Sequence, residues 1–145
     1  MDVGGYFGKL ARLGDETSVT DTLGASLSLD DGIAKLVALF GDLPGRGGKG
    51  MIAGNGGSAA IASHFATDFT KNGGVPTLAF TDAALLTCLS NDFGYEYVYS
   101  KQIEVFAKPG DLVVLISSSG TSANIVRAAQ AALDVGATLV TMSGF

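Results

Sequence analysis

Hydrophobic residues recur at helical spacing along the first part of the chain. Between Tyr6 and Leu13, the apolar residues Phe7, Leu10 and Leu13 predict a short helix. A second helix is predicted after Ser28, whose hydroxyl can accept a hydrogen bond from the first turn. Four apolar residues then fall at i, i+3, i+4 and i+7 and form one stripe: Ile33, Leu36, Val37 and Phe40. The first 45 residues are therefore expected to be a helical segment that packs between subunits or covers the protein's own sheet.

From Lys49 onward, short apolar runs alternate with helical segments. Strands are predicted at Gly50–Ala53, Pro76–Phe80, Leu112–Ile116 and Thr138–Met142. Helices are predicted at Ser58–Thr70, Asp82–Leu89, Tyr95–Ala107 and Ala123–Val135. The run LVVLI is apolar throughout, which is typical of a strand covered on both faces. Strands that alternate with helices predict an α/β domain over residues 46–145, with a parallel sheet and right-handed crossovers.

Composition narrows the class of protein. With 145 residues and 47% hydrophobic content, the chain can bury a substantial core. Nine basic residues stand against 14 acidic ones, without a basic cluster, so neither nucleic acid nor an anionic membrane is an expected partner. Cys88 is the single cysteine, which excludes an intrachain disulfide, and it is expected to be a buried small hydrophobe. Without a signal peptide or a run of ~18 apolar residues, a cytoplasmic protein is expected.

Two loops rich in glycine and serine carry the candidate chemistry. The segment Gly54-Asn55-Gly56-Gly57-Ser58 leads from a predicted strand into a helix, and so does Ser117–Ser122. Glycines let the backbone approach a ligand, and a helix N-terminus offers unpaired N–H groups to an anion. Because both loops leave the carboxyl ends of parallel strands, they should open on the same edge of the sheet. Their convergence predicts a site for a small molecule that bears phosphate.

The residues of the two loops also allow other interpretations. Each loop could be a tight turn with a serine cap, and Tyr95, Tyr97 and Tyr99 are interpreted as packing residues. A Walker A loop is excluded, because Lys49 is followed by glycine and precedes the strand. Gly54-x-Gly56-x-x-Ala59 fits the dinucleotide fingerprint, with Asp82 as its acidic residue, but that interpretation leaves the second serine loop unexplained.

Three motifs together resemble the sugar isomerase (SIS) domain family and, within it, the phosphoheptose isomerases. They are Gly54–Ala60 with His64-Phe65-Ala66, then Asn91-Asp92-Phe93-Gly94, then Ile116–Gly120 with Ser122 and Asn124. The resemblance runs from about Ser28 to Phe145. It implies a three-layer α/β sandwich of Rossmann or flavodoxin-like type, and homotetramers with N-terminal helices in a central bundle and active sites between subunits. It also implies conversion of sedoheptulose 7-phosphate to D-glycero-D-manno-heptose 7-phosphate, without a nucleotide cofactor.

The resemblance also assigns candidate roles to residues. Those implied to contact the sugar phosphate are Asn55, Gly56, Gly57, Ser58, Asn91, Asp92, Ser117, Ser118, Ser119 and Ser122. His64 matches a histidine that binds zinc in some members, so zinc is the candidate metal. Asp68 stands where phosphoheptose isomerases carry a catalytic, metal-binding glutamate, and its side chain is one methylene shorter. His64 and Asp68 are therefore the candidate catalytic and metal-binding residues.

The histidine count limits what one chain can do. His64 is the single histidine, and it shares a helix face with Asp68, four residues later. The two side chains could act as acid and base. Alternatively, they form a surface pair that contributes ~0.2–0.5 kcal/mol to stability. In the family, a further glutamine and histidine lie on a C-terminal helix that this sequence lacks. We therefore expect poor turnover from the 145-residue chain alone. The alternative is a non-catalytic SIS-type sensor or adaptor that binds the phosphosugar.

Overall fold

A computed structural model describes residues 2–144 as two compact units, one up to Leu39 and one from Phe40 onward. The first unit contains helix α1 (Val3–Glu16), a hairpin of strands β1 (Val19–Thr20) and β2 (Ser26–Leu27), and most of helix α2 (Leu29–Gly41). Both predicted helices are present. The hairpin was not predicted, because two-residue strands are too short to show an alternating pattern.

Local polar contacts shape this first unit. The Ser28 hydroxyl oxygen accepts the Asp31 N–H at 3.1 Å and donates to the Asp31 carboxylate at 2.6 Å, which confirms Ser28 as the start signal of α2. In the hairpin turn, Asp21 accepts the N–H groups of Leu23 and Ala25. These two backbone hydrogen bonds hold the pKa of the Asp21 carboxyl below its ordinary value.

The second unit alternates strands and helices as the sequence predicts. Its elements are β3 (Gly50–Gly54), α3 (Gly57–Lys71), β4 (Thr77–Ala79), α4 (Ala83–Phe93), α5 (Ser100–Phe106), β5 (Leu112–Ser117), α6 (Ala123–Val135) and β6 (Thr138–Ser143). One-turn 3-10 helices occupy Pro44–Arg46 and Tyr95–Tyr97.

Two predicted helix boundaries were wrong. Helix α4 continues past Leu89 to Phe93 and stops at Gly94, whose φ of 98° is unfavourable for other residues. The segment predicted as one helix from Tyr95 to Ala107 is divided, because the N–H groups of Tyr97 and Val98 donate to carbonyls three residues back and tighten the first turn.

All four strands of the main sheet are parallel, in the order β4-β3-β5-β6. Among these strands the first in the sequence, β3, lies between the second and the third, which is the flavodoxin-like arrangement. The chain reverses its direction of winding between β3 and β5. The register pairs Gly50 with Leu112 and Gly54 with Ile116, so both strands end at the same height.

Helices cover both faces of this sheet and complete the predicted three-layer α/β fold. Inward side chains of β3 and β5 pack against α5 and α6 in one cluster, which includes Met51, Ala53, Val113, Leu115, Ile103 and Ile125. Ile52 and Val114 alternate with them and point to the opposite face, where α3 packs through Ala62 and Ala66. Within residues 2–144, no helix is long and apolar enough to cross a membrane.

A buried carboxylate ties together the amino ends of the central strands. Asp111, with 4% of its side chain exposed, accepts the backbone N–H groups of Lys49 and Lys108 and forms an ion pair with the Lys49 ammonium. Its main chain also joins β6, because the Thr138 N–H donates to the Asp111 carbonyl. Burial alone would raise the pKa of the Asp111 carboxyl. The hydrogen bonds from Lys49 and Lys108 have the opposite and larger effect, so the pKa lies below its ordinary value.

We predict that Asp111→Asn lowers the free energy of unfolding by about 3 kcal/mol, because it removes one partner of a buried ion pair. Since the folded-state pKa lies below the unfolded-state value of ~3.9, the contribution is present above that value and is lost as the pH falls through the folded-state pKa. Urea unfolding at pH 7 and at decreasing pH measures both effects. Glu104→Gln is the matched control, because the exposed Lys101–Glu104 pair contributes about 0–1 kcal/mol. Equal losses in the two variants would contradict the assignment.

Candidate functional site

The carboxyl ends of β3 and β5 enclose a small pocket at the point where the winding of the sheet reverses. Its volume is about 170 Å³. Both predicted loops contribute to its lining, which consists of Asn55, Ser58, Ile116, Ser117, Ser118, Ser119 and Ser122. The expected convergence of the two loops is therefore present in the structure, at the location where open α/β sheets bind ligands.

Glycine serves two different purposes in the first loop. A Cβ atom on Gly54 would lie 2.6 Å from the Cβ of Ser58 and 3.0 Å from the carbonyl oxygen of Ile116, so a larger residue would push α3 away from the strands. Gly56 has open space around it, but its φ of 54° and ψ of −120° are accessible essentially to glycine alone. The close packing of Gly54 against Ser58 and the turn at Gly56 together place the start of α3 at the pocket.

A reciprocal pair of amide side chains joins the two loops. Asn55 Nδ2 donates to Asn124 Oδ1 at 2.9 Å, and Asn124 Nδ2 donates to Asn55 Oδ1 at 2.8 Å. Asn124 lies in the first turn of α6 and is 3% exposed. Because both hydrogen bonds are made within a mostly buried site, the pair holds the two loops at a fixed separation.

Two tyrosines that follow α4 complete this polar network. The Tyr95 hydroxyl donates to Asn55 Oδ1 at 3.2 Å, and the Tyr99 hydroxyl donates to the carbonyl oxygen of Gly54. Burial, and after it the neighbouring Tyr95, raise the pKa of Tyr99 to about 12, so its hydroxyl remains a donor at neutral pH. The interpretation of Tyr95 and Tyr99 as packing residues alone was therefore incomplete.

The serine loop keeps its hydroxyls available for a ligand. Ser117 is buried, and its hydroxyl lies 3.3 Å from that of Ser122, while Ser119 accepts from the backbone and hydroxyl of Thr121. Ser122 precedes α6, and Gly56 precedes α3, but neither helix has a side-chain capping hydrogen bond at this position. Ser122 therefore does not cap α6 through its side chain, in contrast to the alternative interpretation of the loop as a turn with a serine cap.

The pocket is suited to an anion although no lysine or arginine lines it. Helices α3 and α6 both begin at its rim, and the first N–H groups of a helix, together with its dipole, favour negative charge. Serine hydroxyls rotate to donate where a ligand oxygen lies. Several neutral donors on one concave surface can hold a phosphate.

His64 and Asp68 lie on α3 but outside the lining of this pocket. His64 Nε2 is 3.4 Å from Asp68 Oδ2, and the two side chains are 76% and 48% exposed. His64 follows the buried Ala62 by two residues, roughly 200° around the helix, so it faces away from the sheet. The predicted His64–Asp68 pair is therefore formed, but within one chain it does not lie at the serine pocket.

One chain does not provide a complete zinc site within residues 2–144. No group of three or more histidine, cysteine, aspartate or glutamate side chains converges there. Catalytic zinc has three protein ligands and an open position, whereas His64 and Asp68 supply two. A zinc ion bound to this pair would need at least one further ligand besides the side chains that residues 2–144 of one chain bring together.

Asn91 and Asp92 also lie away from the pocket lining. Both are exposed near the end of α4, where Asn91 Nδ2 donates to Asp92 Oδ1 at 2.8 Å. Cys88, one turn earlier, is exposed with its Sγ 3.6 Å from Asp92 Oδ2. The expectation that Cys88 is buried was wrong, because α4 turns this position away from the core.

Asp82, the acidic residue of the dinucleotide interpretation, caps α4 through a hydrogen bond from the Leu85 N–H at 2.7 Å. A second, more open groove of about 470 Å³ lies between α3 and the edge strand β4. Most of its hydroxyls already donate to backbone carbonyls, including those of Ser63, Thr67 and Thr77. These contacts leave the serine pocket as the better candidate site.

Asn124, Tyr95 and Tyr99 were not predicted to belong to the site. Asn124 was part of a recognised motif, and an asparagine in a helix that is otherwise apolar on its buried face was the signal that could have identified it. The tyrosines gave no comparable signal, because their contacts with Asn55 and Gly54 join residues about 40 positions apart.

Comparison with known proteins agrees with this geometry. A family model described as the SIS domain matches residues 17–144. The phosphoheptose isomerase of Proteus mirabilis is 40% identical in an alignment 139 residues long, which covers 90% of this chain and 72% of that protein. The phosphoheptose isomerase of Photorhabdus laumondii is 42% identical in an alignment 132 residues long, which covers 86% of this chain and 68% of that protein.

Solved structures show the same relationship. The phosphoheptose isomerase from Neisseria gonorrhoeae superposes with a TM-score of 0.82 at 30% identity. The superposition covers 97% of this chain and 73% of the Neisseria chain. The phosphoheptose isomerase from Francisella tularensis gives a TM-score of 0.83 at 26% identity with the same coverage.

Proposed function

The chain belongs to the SIS domain family and, within it, to the phosphoheptose isomerases, and we propose that it converts sedoheptulose 7-phosphate to D-glycero-D-manno-heptose 7-phosphate. One observation supports this proposal above the others. The Asn55 loop and the Ser117–Ser122 loop meet in one pocket at the carboxyl ends of β3 and β5. The relatives' names supply the type of sugar, and the pocket supplies a place for its phosphate.

In this proposal the phosphate group lies among the hydroxyls of Ser58, Ser117, Ser119 and Ser122. The N–H groups at the starts of α3 and α6 add donors from two sides. Hydrogen bonds from such neutral donors to a charged phosphate are stronger than those to a neutral acceptor. The sugar chain would extend from the pocket, with the phosphate as its anchor.

We predict that Ser119→Ala and Ser122→Ala each weaken sedoheptulose 7-phosphate binding, because each removes a hydroxyl donor to a charged group. Such a hydrogen bond is worth about 1.5–3 kcal/mol, or roughly ten- to a hundredfold in affinity. Isothermal titration calorimetry measures the effect. Ser63→Ala is the matched control, since its hydroxyl lies in the other groove and donates to the Ala59 carbonyl. Tight NADH binding without a response to sugar phosphates would favour the dinucleotide alternative.

Isomerisation of a ketose to an aldose needs a base and an acid. The base moves a proton between C1 and C2, and the acid serves the oxygens on these carbons. We assign these roles to Asp68 and His64, which are within 3.4 Å of each other and open to solvent. Because this pair faces away from its own sheet, we propose that it completes a site with the serine pocket of a neighbouring subunit. No step is assigned to a metal ion.

We predict that the 145-residue chain binds sedoheptulose 7-phosphate but turns it over slowly, because His64 and Asp68 lie outside the lining of the serine pocket within one chain. A general acid or base that is not in place at the substrate costs ~10²–10⁴ in rate. Asp68→Asn should abolish the remaining turnover and leave the affinity for the sugar phosphate within about twofold of the unsubstituted chain. Stopped assays of product formation, paired with calorimetry, measure the two quantities.

Ordinary isomerase turnover by the unsubstituted chain would show that Asp68, His64 and the serine loops suffice. Binding without any turnover, unchanged by Asp68→Asn, would favour the alternative function of a sensor or adaptor. That alternative is supported by the separation of the His64–Asp68 pair from the pocket within one chain.

We propose a homotetramer as the assembly. The helix α1 carries a stripe of large apolar side chains that are all at least 43% exposed: Val3, Tyr6, Phe7, Leu10 and Leu13. On α2, Ile33 and Val37 of the predicted stripe are also exposed, whereas Phe40 is buried in the second unit against Phe69. Exposed apolar stripes of this extent favour association between helices.

Multi-angle light scattering is expected to return about four times the chain mass of 14.7 kDa at micromolar concentration. Phe7→Glu should shift the mass downward, because it places a charge in the apolar stripe of α1. Lys9→Glu, on the same helix but outside the stripe, is the matched control. A monomer for the unsubstituted chain would contradict the assembly.

A further inference from the structure

We propose that Tyr95 is a positioning residue that acts through Asn55 and sets the direction in which the Asn55 amide meets the substrate. The inference rests on the proposed function, because it concerns the same pocket. Tyr95 follows α4 and is not part of the pocket lining, while Asn55 is. The Tyr95 hydroxyl reaches across 40 positions of sequence to Asn55 Oδ1, at 3.2 Å.

The hydrogen bonds of the Asn55 side chain occupy both acceptor positions of Oδ1 and one of the two hydrogens of Nδ2. Oδ1 accepts from Tyr95 and from Asn124 Nδ2, which occupies both of its acceptor positions. Nδ2 has two hydrogens, and one of them is donated to Asn124 Oδ1. Within residues 2–144, no protein acceptor takes the other hydrogen. Asn55 therefore offers a donor to the pocket and no free acceptor.

A donor in this position has a clear chemical partner. Every oxygen of a sugar phosphate can accept a hydrogen bond, whereas a phosphate dianion would be repelled by an amide oxygen turned towards it. Amide pairs such as Asn55 with Asn124 can exchange their two hydrogen bonds by a joint flip of both side chains. In the orientation that the structure shows, the hydroxyl of Tyr95 donates a third hydrogen bond of this network to Asn55 Oδ1, and the second N–H of the Asn55 amide remains for the ligand.

Tyr97 provides a matched control two residues away. Its ring lies under the guanidinium of Arg127, with 4.2 Å between the Arg127 Cζ and the ring centre, and its hydroxyl makes no hydrogen bond to Asn55. Tyr95→Phe and Tyr97→Phe both remove one hydroxyl from the same 3-10 turn and keep the ring. Only the first removes a contact to the pocket.

The test is a double-mutant cycle on sedoheptulose 7-phosphate affinity, measured by calorimetry for Tyr95→Phe, Asn55→Ala and the double variant. We expect Tyr95→Phe to weaken binding by about three- to tenfold, the value of one hydrogen bond. In the Asn55→Ala background, the same change should have no further effect, because Tyr95 acts through Asn55. Tyr97→Phe should bind as the unsubstituted protein does. Independent, additive losses would overturn the proposal, as would unchanged binding by Tyr95→Phe.

A ligand-free measurement separates this inference from the proposed function. The side-chain NH₂ resonances of Asn55 in a ¹H–¹⁵N spectrum should shift in Tyr95→Phe and remain in place in Tyr97→Phe. If they do not shift, Tyr95 does not orient Asn55, whatever the substrate. If they shift but the unsubstituted protein does not bind sedoheptulose 7-phosphate, the choice of substrate fails and the positioning role stands.

Discussion

The parallel pairing of β3 with β5 determines where the pocket forms. Its register sets Gly54 opposite Ile116, so the two loops that follow leave the sheet side by side. At the other end of the same strands, Asp111 joins the turn before β5 to Lys49 and to β6. A slip by one residue would turn the side chains of one strand towards the opposite packed face of the sheet and would offset the two loops from each other. The buried carboxylate and the pocket thus lie at opposite ends of one pair of strands.

The pocket is built from neutral donors in a chain whose net charge is −5. Helices α3 and α6 begin at its rim without side-chain caps, and this leaves the N–H groups of Gly57, Ala123 and Asn124 and the neighbouring hydroxyls available to a ligand. The Asn55–Asn124 pair and the two tyrosines hold these elements in place before a ligand arrives. Preorganisation of this kind reduces the entropy that binding would otherwise cost.

The sequence predicted those features that depend on local pattern. The apolar run at β5, the glycines at β3 and the cap at Ser28 each identify an element from a few adjacent residues. Asn124 and Tyr95 were not identified as site residues, because their roles come from contacts with a loop 69 and 40 positions away. The exposure of Cys88 was not predicted, because it depends on which face of α4 meets the core. The end of α4 at Gly94 is a local feature, and the predicted boundary at Leu89 missed it. The placement of His64 and Asp68 on one helix face was correct, whereas their distance from the serine loops needed the fold.

Locating the phosphate on the protein tests whether the serine pocket holds it. Titration of the ¹⁵N-labelled chain with sedoheptulose 7-phosphate, followed through its backbone amide resonances, reports on every loop at once. We expect the largest shifts at Gly56–Ser58 and at Ser118–Asn124, around the starts of α3 and α6. Shifts confined to the groove between α3 and β4, around Thr67 and Thr81, would contradict this expectation.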